Sequence, residues 1–392
     1  MYVERELANF FNELIKHFSL IALVGPRQAG KTTFLKNRAV EKLDYLLFDD
    51  VDIKRIFDED IKSFERQFLS KDRIAILDEI QVVDEPGRKL KYLVDTGYRL
   101  WITSSSEIIL SQKVLSYLVG RVTIQRLFPF NLFEFLSAKK IQIQDQILIN
   151  RELKDHIKFG GYPKVVLTDL IEIKKTILRD LLETIVLKDI AFNFSINDIL
   201  TLQKMIEYLA ANVCSILNYG SINQVLKISF PTIKKYLDAL EKSYIIYSVR
   251  PFFTNKNKEL SKQPKIYFLD NGILNQTLKD YEINGLKFEN YVFTEILKAG
   301  FHPKYWRNKH KNEVDFVIEK GKQKIPIEVK LSFHNKIESG LKIFINEYQP
   351  QIAFIVILEG EEKDIELNGC KIKVRFVNNF LNEIKAKQIN EA

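Results

Sequence analysis

The chain has 392 residues, 46% of them hydrophobic, which is enough for two or three globular cores. Its longest apolar run, Ile352 to Leu358, is strand-sized, which excludes a membrane helix, and the charged start Met1-Tyr-Val-Glu-Arg-Glu-Leu has the wrong order for a secretory signal. A net charge of +8 suits a polyanionic partner, while two isolated cysteines, Cys214 and Cys370, exclude a disulfide framework and a cysteine metal site, so a cytoplasmic location is expected.

Five short β-rich runs come first: Ser19 to Val24, Tyr45 to Phe48, Arg73 to Leu77, Arg99 to Thr103 and Val122 to Leu127. They alternate with helix-compatible stretches, which predicts a parallel sheet covered on both faces. Directly after the first run stands Gly25-Pro26-Arg27-Gln28-Ala29-Gly30-Lys31-Thr32-Thr33, the G-x-x-x-x-G-K-T pattern, and a helix is predicted to begin near Thr32. Gly25 and Gly30 let the backbone wrap phosphates, which meet the amides of the loop and of the helix start. Lys31 is placed to neutralise the β and γ phosphates of ATP, and Thr32 to offer its hydroxyl to Mg²⁺. Asp78 and Glu79 end the third run, Asp78 as a Mg²⁺ partner through water and Glu79 to polarise an attacking water. The fourth run ends in Ser104-Ser105-Ser106, with Thr103 or Ser105 as the sensor of the γ-phosphate. Arg121, after Gly120, is a further candidate for that phosphate, in cis or across the interface of a homo-oligomer; the alternative is a surface ion pair.

From Phe128 to about Tyr244 the pattern is helical. Asn197 to Asn218 reads as one long helix, Ser221 to Ile228 as a second, and a third runs from Ser229 or Pro231 to Ser243, with Ser229 as its N-cap. Tyr244 to Phe253 and Lys265 to Leu269 are predicted to pair as a hairpin, so that the whole resembles a winged helix. Its third helix would present Thr232, Lys234, Lys235 and Lys242 to DNA, although Tyr236, Leu237 and Leu240 at helical spacing equally suit a packing module.

The last section, from Asn284, reads as a second α/β domain: a helix Lys287 to Ala299, strands Lys304 to Trp306, Val314 to Glu319 and Ile325 to Val329, a helix near Ile337 to Glu347 and a strand Ile352 to Leu358. Asp315 and Glu328-Val-Lys330 give the D-(x)n-E-x-K arrangement of restriction-endonuclease-like folds. Alternation puts Glu328 and Lys330 on one side of their strand, opposite Ile327 and Val329. Glu289 falls on the apolar face of its helix with Val292, Phe293 and Ile296, whereas Glu295 lies nearer the edge, where water can reach it. Glu289, Asp315 and Glu328 are therefore candidate metal ligands, with Lys330 beside the attacking water; the alternative for Glu289 is an acid favoured by the helix dipole.

The loop around Lys31, Leu77-Asp-Glu-Ile-Gln, Thr103-Ser-Ser-Ser and Val119-Gly-Arg-Val…Leu127-Phe-Pro-Phe-Asn-Leu-Phe-Glu-Phe resemble the prokaryotic AAA-family ATPases with an uncharacterised C-terminal domain, as do Gly160-Gly-Tyr-Pro, Phe288-Glu-Asn, Glu313-Val-Asp-Phe and Ile327-Glu-Val-Lys. Ser104 stands where such proteins tend to have glycine. The expected architecture is α/β: an AAA+ type P-loop domain over 1–140, a helical lid over 141–195, a winged-helix-like domain over 196–275 and a restriction-endonuclease-like α/β domain over 284–392. The expected activity is Mg²⁺-dependent ATP hydrolysis coupled to DNA engagement, with a candidate nuclease site. The alternative is a nucleotide switch for DNA or a protein partner with a non-catalytic C-terminal domain.

Overall fold

The computed structural model describes residues 2–39, 43–105, 117–118, 120–141, 145–253, 259, 262–321 and 323–389. Among them, the strands β1 (Leu20–Val24), β2 (Leu43–Leu47), β3 (Ile74–Asp78), β4 (Arg99–Ser104) and β5 (Val122–Arg126) form a parallel sheet in the order β2-β3-β4-β1-β5. β1 and β3 are buried along their whole length, as expected of strands covered on both faces. Helices Leu7–His17 and Lys31–Arg38 pack on one face through Phe11, Phe34 and Leu35. Helices Val51–Glu59, Ile61–Phe68 and Pro86–Asp95 pack on the other through Phe57, Phe64 and Leu90. Because β1 lies between β4 and β5, chain leaving its carboxyl end enters the crevice where such sheets hold ligands.

The middle is helical, with Leu132–Ala138, Gln146–Phe159 and Ile171–Thr184 leading into a π-helical stretch, Ile185–Phe192. Three helices follow, Ile199–Ala211, Tyr219–Leu226 and Phe230–Lys242, then the antiparallel hairpin β6 (Ile246–Val249) and β7 (Lys265–Phe268). Ser229 caps the third helix by accepting from the Thr232 amide. The single helix expected over Asn197 to Asn218 is corrected: it ends at Ala211, Cys214 takes φ 62°, and Ile216 bridges antiparallel to Lys265. A non-local strand partner thus overrides the local helical spacing.

The C-terminal sheet has the order β12-β13-β11-β10-β9-β8, built from β8 (Lys304–Arg307), β9 (Glu313–Lys320), β10 (Gln323–Ser332), β11 (Ile352–Glu359), β12 (Lys363–Leu367) and β13 (Cys370–Phe376). Ile327, Val329, Phe354 and Val356 join helices Gly285–Lys298 and Val377–Ile389 in a core that continues into the helical middle. Helix Ser339–Tyr348 covers the opposite face of β11 and β13. The sequence reading stopped at Leu358 and missed β12, β13 and the last helix. Glu295 is also corrected: it is 1% exposed, its carboxylate accepting from the Leu132 amide at 2.7 Å and pairing with Lys298 at 3.0 Å.

Candidate functional site

The loop Gly25–Gly30 joins the end of β1 to helix Lys31–Arg38. Gly25 has φ 149°, and a Cβ there would lie 2.2 Å from the Leu127 carbonyl oxygen, so the loop can run against the end of β5 only with glycine. Gln28 and Gly30 also have positive φ, at 60° and 96°. Lys31 is 6% exposed and donates to the Gly25 and Pro26 carbonyls, both at 2.9 Å, so that its ammonium lies inside the loop. Burial holds its pKa down, opposed by the charges of Glu79, Asp189 and Asp78. Ala29 is buried, its carbonyl accepting from Arg5 Nη1 at 3.0 Å, while Thr33 on the first helical turn is exposed.

Asp78 ends β3 beside the loop. Its Oδ2 accepts from Thr32 Oγ1 at 2.8 Å and from Tyr45 OH at 2.7 Å, and its Oδ1 from Thr103 Oγ1. This set of oxygens suits a hard cation such as Mg²⁺. Glu79 follows at φ 59°, a left-handed conformation that costs an ordinary side chain about 1–3 kcal/mol and is concentrated at functional positions. Its amide donates to Thr103 Oγ1 at 3.0 Å and its carboxylate accepts from Gln81 Nε2. The structure therefore brings Lys31, Thr32, Asp78, Glu79 and Thr103 together. Ser105 is buried near them, 3.3 Å from Gln81 Nε2. Arg121 is not brought there: it precedes β5 at the opposite end of the sheet, and its Nε bonds Asp95 at 2.8 Å on the surface. Ser106 and Val119 lie outside the described residues.

Three features of this region were not read from sequence. A cavity of about 140 Å³ opens beside Gly30 and Thr33, walled by Tyr2, Val3, Phe34, Phe130, Pro163 and Leu167. Buried Arg5 binds the loop to the rest of the chain, reaching Ala29 and an ion pair with Glu134 at 3.0 Å. Arg27 points out of the loop to Asp189, Nε and Nη2 lying 3.0 and 2.9 Å from the carboxylate oxygens. All three depend on residues distant in sequence, and short motifs carry no trace of them.

In the C-terminal half, Glu289, Asp315, Glu328 and Lys330 also converge. Asp315 Oδ2 accepts from the Val329 amide at 2.8 Å, and Lys330 Nζ lies 3.5 Å from Glu328 and 3.7 Å from Glu338. Burial, and then the Asp315 charge, push the Glu328 carboxyl well above the usual range and that of Glu289 to about 7. Glu328 Oε1 is buried without a hydrogen-bond partner. On the Glu289 side the cluster is closed by Lys265 of β7, which sequence reading did not place there. Its Nζ is 3.5 Å from Glu289, contacts Glu313 and is 4% exposed, and Tyr267 OH donates to Glu289 at 2.7 Å. As the side chains stand, no three acidic, imidazole or thiol groups among the described residues are close enough together to hold a metal.

On helix Phe230–Lys242 the exposed side chains Lys234 and Lys235 are followed, about one and two turns on, by the exposed acids Asp238 and Glu241. Lys235 Nζ donates to the Ser195 carbonyl at 2.9 Å and Lys242 pairs with Asp238 at 2.5 Å.

Residues 17–136 match the family model described as an AAA domain. Residues 150–282 and 284–376 match two models each described as a domain of unknown function (DUF8612 and DUF4143). An uncharacterized protein of Haemophilus influenzae is 29% identical over 348 residues, covering 82% of this chain and 85% of that one. Protein MJ1544 of Methanocaldococcus jannaschii, also uncharacterized, is 29% identical over 373 residues, covering 90% and 80%. The solved structure of the Walker-type ATPase paby2304 of Pyrococcus abyssi aligns with TM-score 0.45 and 13% identity over 70% of this chain and 96% of that one. Residues 17–136, which hold the G-x-x-x-x-G-K-T loop at the end of β1, are thus similar to AAA domains. No helix among the described residues is long and apolar enough to cross a membrane.

Proposed function

We propose that the chain binds ATP with Mg²⁺ and hydrolyses it, using the change of nucleotide state to act on a partner through its helical and C-terminal parts. The observation that carries this reading is the meeting of Lys31, Thr32, Asp78 and Glu79 at the carboxyl ends of β1 and β3. Lys31 would leave the loop carbonyls to pair with the β and γ phosphates, and Thr32 and, through water, Asp78 would hold Mg²⁺, which when bound would supply neutralising charge at the phosphates. Glu79 orients and polarises the attacking water. The cavity beside Gly30 and Thr33 seats the base, its Phe34 and Phe130 side chains offering apolar surface. ATP turnover by the full chain tests the reading: Lys31→Ala should lose nucleotide binding, and Glu79→Gln should keep binding while losing at least about 100-fold in turnover. Undiminished turnover in both variants would remove the site.

DNA is the partner proposed from charge. The net charge of +8 and the exposed Lys234 and Lys235 support it, and Asp238 and Glu241 further along the same helix weigh against it. The Lys234→Glu/Lys235→Glu double variant should bind DNA with a shallower salt dependence than wild type; an unchanged slope would move the contact elsewhere or leave a protein as the partner.

A second reading, favoured by the unpartnered Glu328 Oε1, is a metal-dependent nuclease site. Asp315 and Glu328, with Glu289, offer only oxygen donors, which fit Mg²⁺ or Mn²⁺. Such an ion supplies Lewis acidity at a phosphodiester. Lys330 would orient the attacking water, and Lys265 would have to release Glu289 for that acid to join the set. Cleavage of supercoiled DNA with either ion, lost in Glu328→Ala, is the expected outcome. Intact DNA under every condition leaves the acids around Lys265 and Lys330 as an ion-paired cluster.

A further inference from the structure

The buried carboxylate of Asp189 has no part in the hydrolytic chemistry above, yet it lies at the phosphate end of the nucleotide loop. It sits in the π-helical stretch Ile185–Phe192, 3% exposed, and takes both arms of the Arg27 guanidinium at 2.9 and 3.0 Å. On its other side Ser105 Oγ donates to Oδ1 at 3.4 Å. Lys31 is close enough to feel its charge. Arg27 comes from the loop that wraps the phosphates and Ser105 from the end of β4, so one carboxylate spans the mouth in which a terminal phosphate would be read. A guanidinium fork and a hydroxyl are also the donors that phosphate oxygens recruit.

Resting on the ATP reading above, we propose that Asp189 occupies the γ-phosphate's place, making it the residue that sets the preference of the loop between di- and triphosphate and that reports which one is bound. A diphosphate leaves the Arg27–Asp189 pair in place. A triphosphate brings negative charge to the same donors, takes over Arg27 and Ser105 and repels the carboxylate. Asp189 cannot then stay buried, because a carboxylate out of water and stripped of its partners is strongly disfavoured. The segment that carries it is suited to yield: π-helical hydrogen bonding is rare, and single turns of it cluster at functional sites. The Asp189 carbonyl accepts from Ser243 Oγ at 3.1 Å, at the end of helix Phe230–Lys242 and just before β6, so displacement of Asp189 reaches the hairpin and its neighbours.

The test measures affinities of the full chain for ADP and for ATPγS with Mg²⁺ in wild type, Asp189→Asn and Asp189→Ala, together with hydrogen exchange of residues 185–192. Removing a competing charged bidentate pair should tighten ATPγS about tenfold or more while ADP moves by less than about threefold. In wild type the segment should exchange faster with ATPγS than with ADP, a readout that needs no variant to fold. Looser ATPγS binding in Asp189→Asn, or an unchanged ratio of the two affinities, overturns the proposal, as does equal exchange with both nucleotides. Failure of wild type to bind either nucleotide removes the ATP reading itself.

Discussion

Glu289 shows how a single buried acid ties stability to pH. Burial, reinforced by Asp315, lifts its carboxyl to about 7 against the pull of Lys265 and the Tyr267 hydroxyl. In an unfolded chain a glutamate titrates near ~4.3. Between those two values the folded state holds the extra proton, so this group makes stability fall as pH rises from about 4.5 to about 7 and has no effect on the slope outside that window. Glu289→Gln cannot ionise, and its melting temperature should decline less than that of wild type between about pH 5 and about pH 7; parallel declines would show that the group is not titrating there. The same residue marks the reach of sequence reasoning. Its place on the apolar face of a helix was legible from helical spacing, and with it its candidacy as a metal ligand. That the partner within reach is Lys265, 24 residues earlier on the hairpin, was not, because nothing local announces a contact across two elements.

At the scale of elements, the segment Gly160-Gly161-Tyr162-Pro163 fastens the helical middle to the end of the N-terminal sheet. The Phe130 amide donates to the Gly161 carbonyl at 2.7 Å and the Gly161 amide to Asp270 Oδ2 at 2.8 Å. A Cβ on Gly161 would stand 2.2 Å from the Phe130 carbonyl oxygen, which is backbone and cannot rotate aside. Gly161→Ala should therefore destabilise the protein by roughly 2–3 kcal/mol, read as a lowered urea midpoint; a change within about 0.5 kcal/mol would mean that the two segments separate freely. Elements whose own pattern decides them were readable: β1 to β5, the loop around Lys31 and the capped helix after Ser229 each carry their signal within a few residues. The stretch after Ala211 misled because Val213 and Leu217 keep helical spacing, while the pairing of Ile216 with Lys265 is non-local. The β12–β13 hairpin was open to reading and was passed over. Asn368-Gly369, at φ 50° and 77°, is a turn signal between alternating strands.

The whole molecule divides its apolar packing unevenly. The N-terminal sheet has its own cores on its two faces, one of them holding Trp101. The helical middle and the inner face of the C-terminal sheet share a single core, from Ile149 and Leu153 through Phe288 and Tyr291 to Phe354 and Phe380. Trp306 sits on the other side of β9, against Phe344. The ties described between the two parts are largely polar, among them Arg27–Asp189 and Arg5–Glu134. Two apolar bodies joined by polar contacts should unfold as two cooperative units. Trp101 and Trp306 are the only tryptophans in the sequence, so each reports one unit once the other is replaced by phenylalanine. A nucleotide that binds the loop of the folded N-terminal domain stabilises that unit by about 2.7 kcal/mol at a hundred times its dissociation constant. In urea, ATPγS with Mg²⁺ should therefore raise the midpoint seen by Trp101 well above its nucleotide-free value, while the midpoint seen by Trp306 moves much less. Equal displacement of both midpoints would mean that the polar ties are strong enough to make the chain one unit, and that nucleotide binding is felt by the C-terminal sheet as a matter of global stability rather than through a local release of Asp189.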